Sequence, residues 1–381
     1  MTDSAAGERV ALAGLDFYGV DLSYFTGKVE AYLRYREIPH QRHELTVGLL
    51  REVARHTGLA QMPAIRLPDG RWLSDSTPMI GWMDAQLIGP PVVPVDPLQR
   101  FFSQILEDYA DEWLWRPALH FRWSYKADAT LMSRRIAAEM MTDIPLPLAA
   151  RQFVILRRQI GKYVTGDGVT AATRAHVESI YTRNLRFLQA ILQSRPYLLG
   201  NRPTLADFGF FASMFRHFGL DPTPARIMRD TAPAVYEWLA RLWNARSSQM
   251  PADAPLLPGV PADWQPILRD AATCYLPYLH ANAAAWAMRQ HHFNITIEAT
   301  TYRLPVHRYR VWCLQRLQAL HAALPEHAAA NADAILRETG LHAALHASPA
   351  PASGFDVAGR APFFDPADVW AHHKQKESTS F

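Results

Sequence analysis

The segment Phe17–Tyr18–Gly19–Val20–Asp21–Leu22–Ser23–Tyr24–Phe25–Thr26–Gly27–Lys28 decides the reading of this chain, because an apolar run ends in it and a helical pattern begins. Val10 to Tyr18 reads as a strand closed by Gly19, and Phe25, Val29, Tyr32 and Leu33 then recur at helical spacing. Ser23 therefore falls at a helix N-terminus, where free amides and the helix dipole favour an anion. Two readings of its hydroxyl stand side by side: a cap for the helix, or a donor to a bound thiolate. A free thiol of pKa about 8.5–9 is only about 1–3% ionised at neutral pH, and lowering that pKa by about two units takes roughly 2.7 kcal/mol of thiolate stabilisation.

Downstream, Ile38 to Leu45 returns to an extended segment and Leu49 to Ala54 reads as a short helix. Ala64–Leu67 and Trp72–Leu73 read as strands joined by the turn Pro68–Asp69–Gly70. Ser76–Thr77–Pro78 opens another helix with a hydroxyl cap and an early proline. The order is βαβαββα, a small α/β domain over residues 9–90. Pro63, after Met62, stands at the entry to a strand, either as an ordinary trans residue or as a cis residue whose neighbour turns its backbone toward a ligand. At Asp75–Ser76 the first-turn amides and the Ser76 hydroxyl can receive a carboxylate while Asp75 accepts from an ammonium; simple capping is the alternative.

The whole chain sets the bounds. Its 381 residues suggest two or three domains at about 150 residues each. A hydrophobic share of 49% with 20% charged residues is that of a globular protein. A net charge of +3 argues against a dedicated polyanion binder, so no nucleic-acid partner is expected. Two cysteines make neither a disulfide framework nor a Cys-rich zinc site. No apolar run approaches the roughly 18 residues of a membrane span, and residues 1–10 show no secretory pattern; the expectation is a cytoplasmic protein. Proline-rich connectors near residues 89–97 and 251–266 bound a helical region over 98–250. Within it, Thr204 and Asp207 form the pattern of a capping box ahead of Leu205, Phe208, Phe211, Ala212 and Phe215. Beyond it, helices are expected at about 268–290, 307–322 and 327–344, with an alternating strand, Phe293 to Thr300, whose partner the pattern does not reveal. Residues 346–381 read as a polar, partly flexible tail.

Taken in order, these segments resemble the cytosolic glutathione transferase superfamily. Leu22–Ser23–Tyr24–Phe25 with the helix behind it is similar to that family's serine-type active-site turn, Met62–Pro63 to its Val–cis-Pro pair, Asp75–Ser76 to its Glu/Gln-Ser motif, and Leu198 to Asp207 to its second-domain capping box. The resemblance covers residues 9–250 and implies a thioredoxin-like N-terminal domain, an all-helical second domain and a homodimer, with residues 251–345 as an atypical, mainly helical extension. It implies glutathione as co-substrate and no metal. Ser23 would hold the thiolate, with Tyr18, Tyr24 and Thr26 as the other hydroxyls at hand, since Tyr24 replaces the usual proline. Met62, Pro63, Asp75 and Ser76 would bind glutathione. No cysteine precedes Cys274, which excludes the chemistry of the family's cysteine classes. Trp113, Arg116 and Trp123 would face the acceptor, a hydrophobic, flat aromatic electrophile, although such aromatics also suit a core. The rival reading is a non-catalytic binding or scaffold protein that works through its extension.

Three weaker signals are read structurally. Glu107, Asp108, Asp111 and Glu112 crowd one helix, expected as a solvated face or as partners of Arg116 and Arg122. His40 and His43 are expected to flank a surface turn, and His291–His292 and His372–His373 are adjacent pairs without the i,i+4 spacing of a helical zinc site. The basic stretch from Arg303 to Arg310 is expected on the surface or in intramolecular pairs.

Overall fold

A computed structural model describes residues 12–251 and 254–355. The start of the expected first strand at Val10, most of the expected tail, and His372–His373 lie outside the described residues. The N-terminal domain runs β1 (Leu15–Gly19), α1 (Tyr24–Tyr35), β2 (His40–Glu44), α2 (Val47–Thr57), β3 (Ala64–Arg66), β4 (Trp72–Ser74) and α3 (Ser76–Gln86). The sheet order is β2-β1-β3-β4, with β2 parallel to β1 and the other two pairings antiparallel. Alternation along β1 splits its side chains between two faces. Leu15 and Phe17 join Val29, Tyr32, Leu33, Ile80 and Met83 in the main core, while Tyr18 and Val20 join Leu45, Val53 and Ala64 in a second, smaller one. His40 and His43, expected beside a turn, lie in β2 itself, where His43 stacks on the Tyr18 ring and meets Asp16 at 2.8 Å.

The second region is all helical: α4 (Pro97–Trp113), α5 (Trp115–Ser124), α6 (Lys126–Glu139), α7 (Leu148–Tyr163), α8 (Arg174–Leu192), α9 (Leu205–Ser213), α10 (Pro222–Thr231) and α11 (Pro233–Asn244). Helix α9 continues through a π turn at Met214–Phe218. The capping box expected at Thr204 and Asp207 is present. Asp207 also accepts from the Leu198 amide at 2.9 Å and the Trp238 indole at 3.3 Å, so one carboxylate ties the entering loop and α11 to the start of α9.

The extension begins with α12 (Gln265–Asp270), which passes through a π turn at Ala271–Tyr275 into α13 (Leu276–Ala287). The strand whose partner was missing pairs in a hairpin: β5 (His292–Ile297) with β6 (Thr300–Pro305). Its two loop residues, Glu298 and Ala299, both have positive φ, 47° and 64°. Such a loop normally advertises itself by Asn-Gly or Asp-Gly, which is why the pattern of residues concealed it. Helices α14 (Arg308–Ala322), α15 (Glu326–Thr339) and α16 (Leu341–Leu345) complete the extension. Trp264, Leu268, Tyr275, Leu314 and Leu336 share one continuous core with Phe101, Leu106 and Tyr109 of α4, so the extension is packed on the helical region.

Replacing Asp207 by alanine strips acceptors from two buried amides, a hydroxyl and an indole at once. A loss of about 3 kcal/mol in urea unfolding is expected, several times the cost of an ordinary exposed cap; a loss under about 1 kcal/mol would show that water replaces these contacts.

Candidate functional site

The register of the sheet gathers the residues singled out above. Tyr18 near the end of β1 faces Ala64 at the start of β3, and Ala64 faces Ser74 at the end of β4. The turn bearing Ser23, the Met62–Pro63 step and Asp75 therefore emerge at one end of the sheet, beside the N-termini of α1 and α3. Ser23 is the N-cap of α1, and its Oγ accepts the Thr26 amide at 3.3 Å. The Met62–Pro63 bond is cis. Asp75 caps α3 with φ 73°, ψ 113°, a conformation that a non-glycine residue holds only where its surroundings enforce it. Ser23, Met62 and Asp75 each keep some exposure, whereas Pro63 and Ser76 are buried.

The other three hydroxyls are placed differently. Tyr24 is buried and donates to the Ala110 carbonyl at 2.6 Å. Thr26 is fully buried behind Gly19. Tyr18 lies on the α2 side of the sheet, between the rings of His43 and Trp72.

Trp113, Arg116 and Trp123 are all buried: Trp113 packs on Tyr275 and Tyr278, and Arg116 meets Asp167 at 3.2 Å. Trp115 keeps partial exposure and stacks on Phe25, two residues after Ser23, with centroids 5.9 Å apart and planes at 12°. Sequence reading passed over Trp115 among its neighbours. The signal lay in the break at Leu114 between α4 and α5, which turns the next residue toward α1.

The acidic helix is the largest departure from expectation. Glu107, Asp108 and Asp111 are buried rather than solvated, and their partners are neither Arg116 nor Arg122, which pairs with Asp221. The Lys28 ammonium of α1 lies 2.6 Å from Glu107 and also pairs with Asp111, while Thr77 of α3 donates to Glu107 at 2.5 Å. On the other flank of α4, the Tyr275 hydroxyl donates to Asp108 at 2.7 Å, Arg310 donates to Glu112 at 3.0 Å, and Arg316 approaches Glu107 at 3.7 Å. The stretch 303–310 thus contributes an intramolecular pair through Arg310. Helix α4 has a packed neighbour on both sides, so its acids have no face left for water.

Burial works against the Lys28 ammonium, yet Asp111 and Glu107 hold it above the ordinary lysine range. Glu107, flanked by Lys28 and Arg316, stays below the ordinary glutamate value despite its burial, whereas burial raises Asp111. Burial also pushes Asp108 up to about 7, against the pull of Arg316 and Tyr275. Asp75 is pushed up to about 6 by loss of water, opposed by hydrogen bonds from Tyr309 and the Thr77 amide. Those two donors reach the same oxygen: Tyr309, in the first turn of α14, donates to Asp75 Oδ1 at 3.2 Å, and the Thr77 amide does so at 3.2 Å. The extension therefore reaches back across the helical region to the end of the N-terminal sheet.

With fold and motifs in place, the comparisons with known proteins agree on the class. The family model for the glutathione S-transferase N-terminal domain matches residues 22–86, and that for the glutathione S-transferase C-terminal domain matches residues 181–245. These two matches, in the order of a mixed strand-and-helix domain followed by a helical one, support the glutathione transferase superfamily for the N-terminal and helical regions. Among solved structures it is similar to the beta-etherase LigF from Sphingobium sp. strain SYK-6, at 18% identity and TM-score 0.43 over 62% of this chain and 96% of that one. It is also similar to a glutathione S-transferase from Methylobacillus flagellatus with glutathione bound, at 17% identity and TM-score 0.38 over 60% and 93%. FzlA from C. crescentus is similar at 16% identity and TM-score 0.41 over 66% and 97%. No curated protein sequence matches the chain. No helix among the described residues is long and apolar enough to cross a membrane.

The raised Asp108 pKa has a consequence of definite sign. The folded state holds that proton up to about pH 7, while an unfolded aspartate releases it near 3.8. Its contribution to stability is therefore lost as pH rises between those values. Asp108→Asn keeps an acceptor for Tyr275 and removes the titration. Relative to wild type it gains stability from pH 4 to pH 7, by roughly 4 kcal/mol, and no more above that. A difference independent of pH in urea melts would contradict this assignment.

Proposed function

We propose that this protein binds glutathione at the sheet end carrying Ser23, Met62 and Asp75 and directs its thiolate at a hydrophobic, aromatic electrophile. The observation that carries the reading is the register. Strands β1, β3 and β4 are neighbours at about 4.8 Å spacing, so the site spans about 10 Å, the length of an extended tripeptide at roughly 3.4 Å per residue. Asp75 would accept from the ligand's α-ammonium, and the α3 amides with Ser76 would receive its α-carboxylate. The backbone of Met62, ahead of Pro63, would pair with the cysteinyl unit in the middle.

Ser23 is our choice for the thiolate. Its Oγ already accepts the Thr26 amide, which leaves the hydroxyl hydrogen free to donate to sulfur. Tyr24 spends its proton on Ala110, Thr26 is enclosed, and Tyr18 is on the other face. The helix dipole of α1 adds to the same stabilisation. With a halonitrobenzene, the sulfur would form a C–S bond as the C–halogen pair leaves with the halide, the thiol proton having gone to solvent. The Phe25–Trp115 stack gives a flat acceptor a surface beside Ser23, with Trp113, Arg116 and Trp123 shaping the wall behind it.

One observation favours the second reading, a non-catalytic binding protein: the Tyr309 hydroxyl already occupies Asp75. Calorimetric titration with glutathione separates the two. On the transferase reading wild type binds at millimolar glutathione or below, Asp75→Asn binds at least about tenfold more weakly, and Tyr309→Phe binds severalfold more tightly because its competitor for Asp75 is gone. Absence of binding in both wild type and Tyr309→Phe would overturn the glutathione reading in favour of the scaffold one.

Ser23→Ala is expected to lower kcat/KM at least about tenfold, with glutathione affinity little changed. Unchanged turnover would move the role to another hydroxyl. The proposal extends to a homodimer, to be checked by light scattering on the purified chain.

A further inference from the structure

Apolar and basic side chains collect on the outer surface of the hairpin made by α6 and α7. Of the nine large hydrophobic side chains exposed among the described residues, four belong to this hairpin: Leu131, Leu146, Phe153 and Val154. Isolated exposed apolar residues are ordinary, whereas a group of them on one element marks an interaction surface. Helix α7 buries only Ile155 of its 16 residues. Ala150, Phe153, Val154, Arg157 and Gly161 follow at helical spacing and are all exposed, Phe153 at 62% and Val154 at 47%. Helix α7 thus carries an apolar strip that faces away from the core. Gln152 Nε2, next to Phe153 in sequence, donates to the Thr130 carbonyl at 3.2 Å, which sets α6 with Leu131 and Arg134 alongside.

The charge gathers on the same hairpin. Residues 126–163 hold seven lysines and arginines against three acids, a surplus of four that exceeds the net +3 of the whole chain. The acids are engaged. Asp128 is buried and accepts from the Thr223 amide at 2.8 Å, Glu139 pairs with Arg135 at 2.8 Å, and Asp143 accepts from the Gly48 amide. Lys126, Arg134, Arg157 and Arg158 are exposed and enter no ion pair among the described residues.

We propose that this face of α6 and α7 docks on the surface of an anionic phospholipid membrane. Leu146, Phe153 and Val154 enter the headgroup region, and Lys126, Arg134, Arg157 and Arg158 meet the lipid phosphates. A second copy of the chain suits the face less well, since a two-fold contact would bring its unpaired cations against their own kind. A folded acidic partner would need a hollow to match a ring projecting from a convex helix, whereas a fluid lipid surface needs none. The small overall charge does not oppose the contact. Attraction to a charged surface fades within about 10 Å, so the cations nearest the lipid decide it. The contact is peripheral, as no helix among the described residues is long and apolar enough to cross a bilayer.

Flotation of the full-length protein with lipid vesicles is the test. With phosphatidylcholine vesicles containing about 30% phosphatidylserine, at about 50 mM salt, the protein is expected to float with the lipid. With pure phosphatidylcholine it is expected to stay behind, and about 500 mM salt should release it from the anionic vesicles. Arg157→Gln combined with Arg158→Gln should weaken the partition at least about tenfold. Phe153→Ser should weaken it severalfold without changing the salt dependence. These three side chains are exposed, so both variants should melt in urea as wild type does. No binding to the anionic vesicles, equal binding to pure phosphatidylcholine, or either variant floating as wild type does would overturn the proposal. So would light scattering in which Phe153→Ser turns a dimer into monomers, because the face would then join two copies of the chain.

Discussion

The ammonium of Lys28, buried between Glu107 and Asp111, is the interaction on which the rest of the molecule depends. A lone ammonium removed from water is costly, and it persists only because two carboxylates and the Thr77 hydroxyl surround it. The consequence is geometric. Lys28 belongs to α1, Thr77 to α3 and the two acids to α4, so this cluster fixes the N-terminal domain against the helical one. It also sets the direction of α1, and with it the position of Ser23 at the other end of the first turn.

The same helix passes the constraint outward. Glu107, Asp108 and Glu112 meet Arg316, Tyr275 and Arg310 of the extension, so α4 carries charge pairs on two flanks. A set of acids that would suit a solvated helix has become the common spine of three regions. Helix α14 is thereby held with its first turn at the sheet end, which places Tyr309 on Asp75. The extension is thus part of the wall of the candidate site, and His321 Nε2, 3.1 Å from Asp333 Oδ1, ties the far end of the same helix to α15.

The N-terminal domain and the start of α9 were legible in the residues because their signals are local. Period-two and helical patterns, the Thr204–Asp207 cap and the Pro68–Asp69–Gly70 turn each act within a few positions. The positions of Ser23, Met62 and Asp75 at one sheet end followed from the order of those elements. The extension was legible only in outline. The β5–β6 hairpin turns on Glu298 and Ala299, residues without turn chemistry of their own, and Arg183 with His176 hold Glu298 from another helix. The acids of α4 were misread for one physical reason. Their partners lie between 30 and 209 positions away, and a side chain's exposure depends on what packs over it, which no local pattern records.

A crystal structure of the complex with an S-aryl glutathione conjugate would locate the ligand at the sheet end. The γ-glutamyl ammonium is expected at the Asp75 carboxylate, with the Tyr309 hydroxyl moved off Oδ1, and the sulfur within about 3.5 Å of Ser23 Oγ. A conjugate bound elsewhere, or with its sulfur nearer another hydroxyl while Tyr309 still holds Asp75, would contradict this expectation.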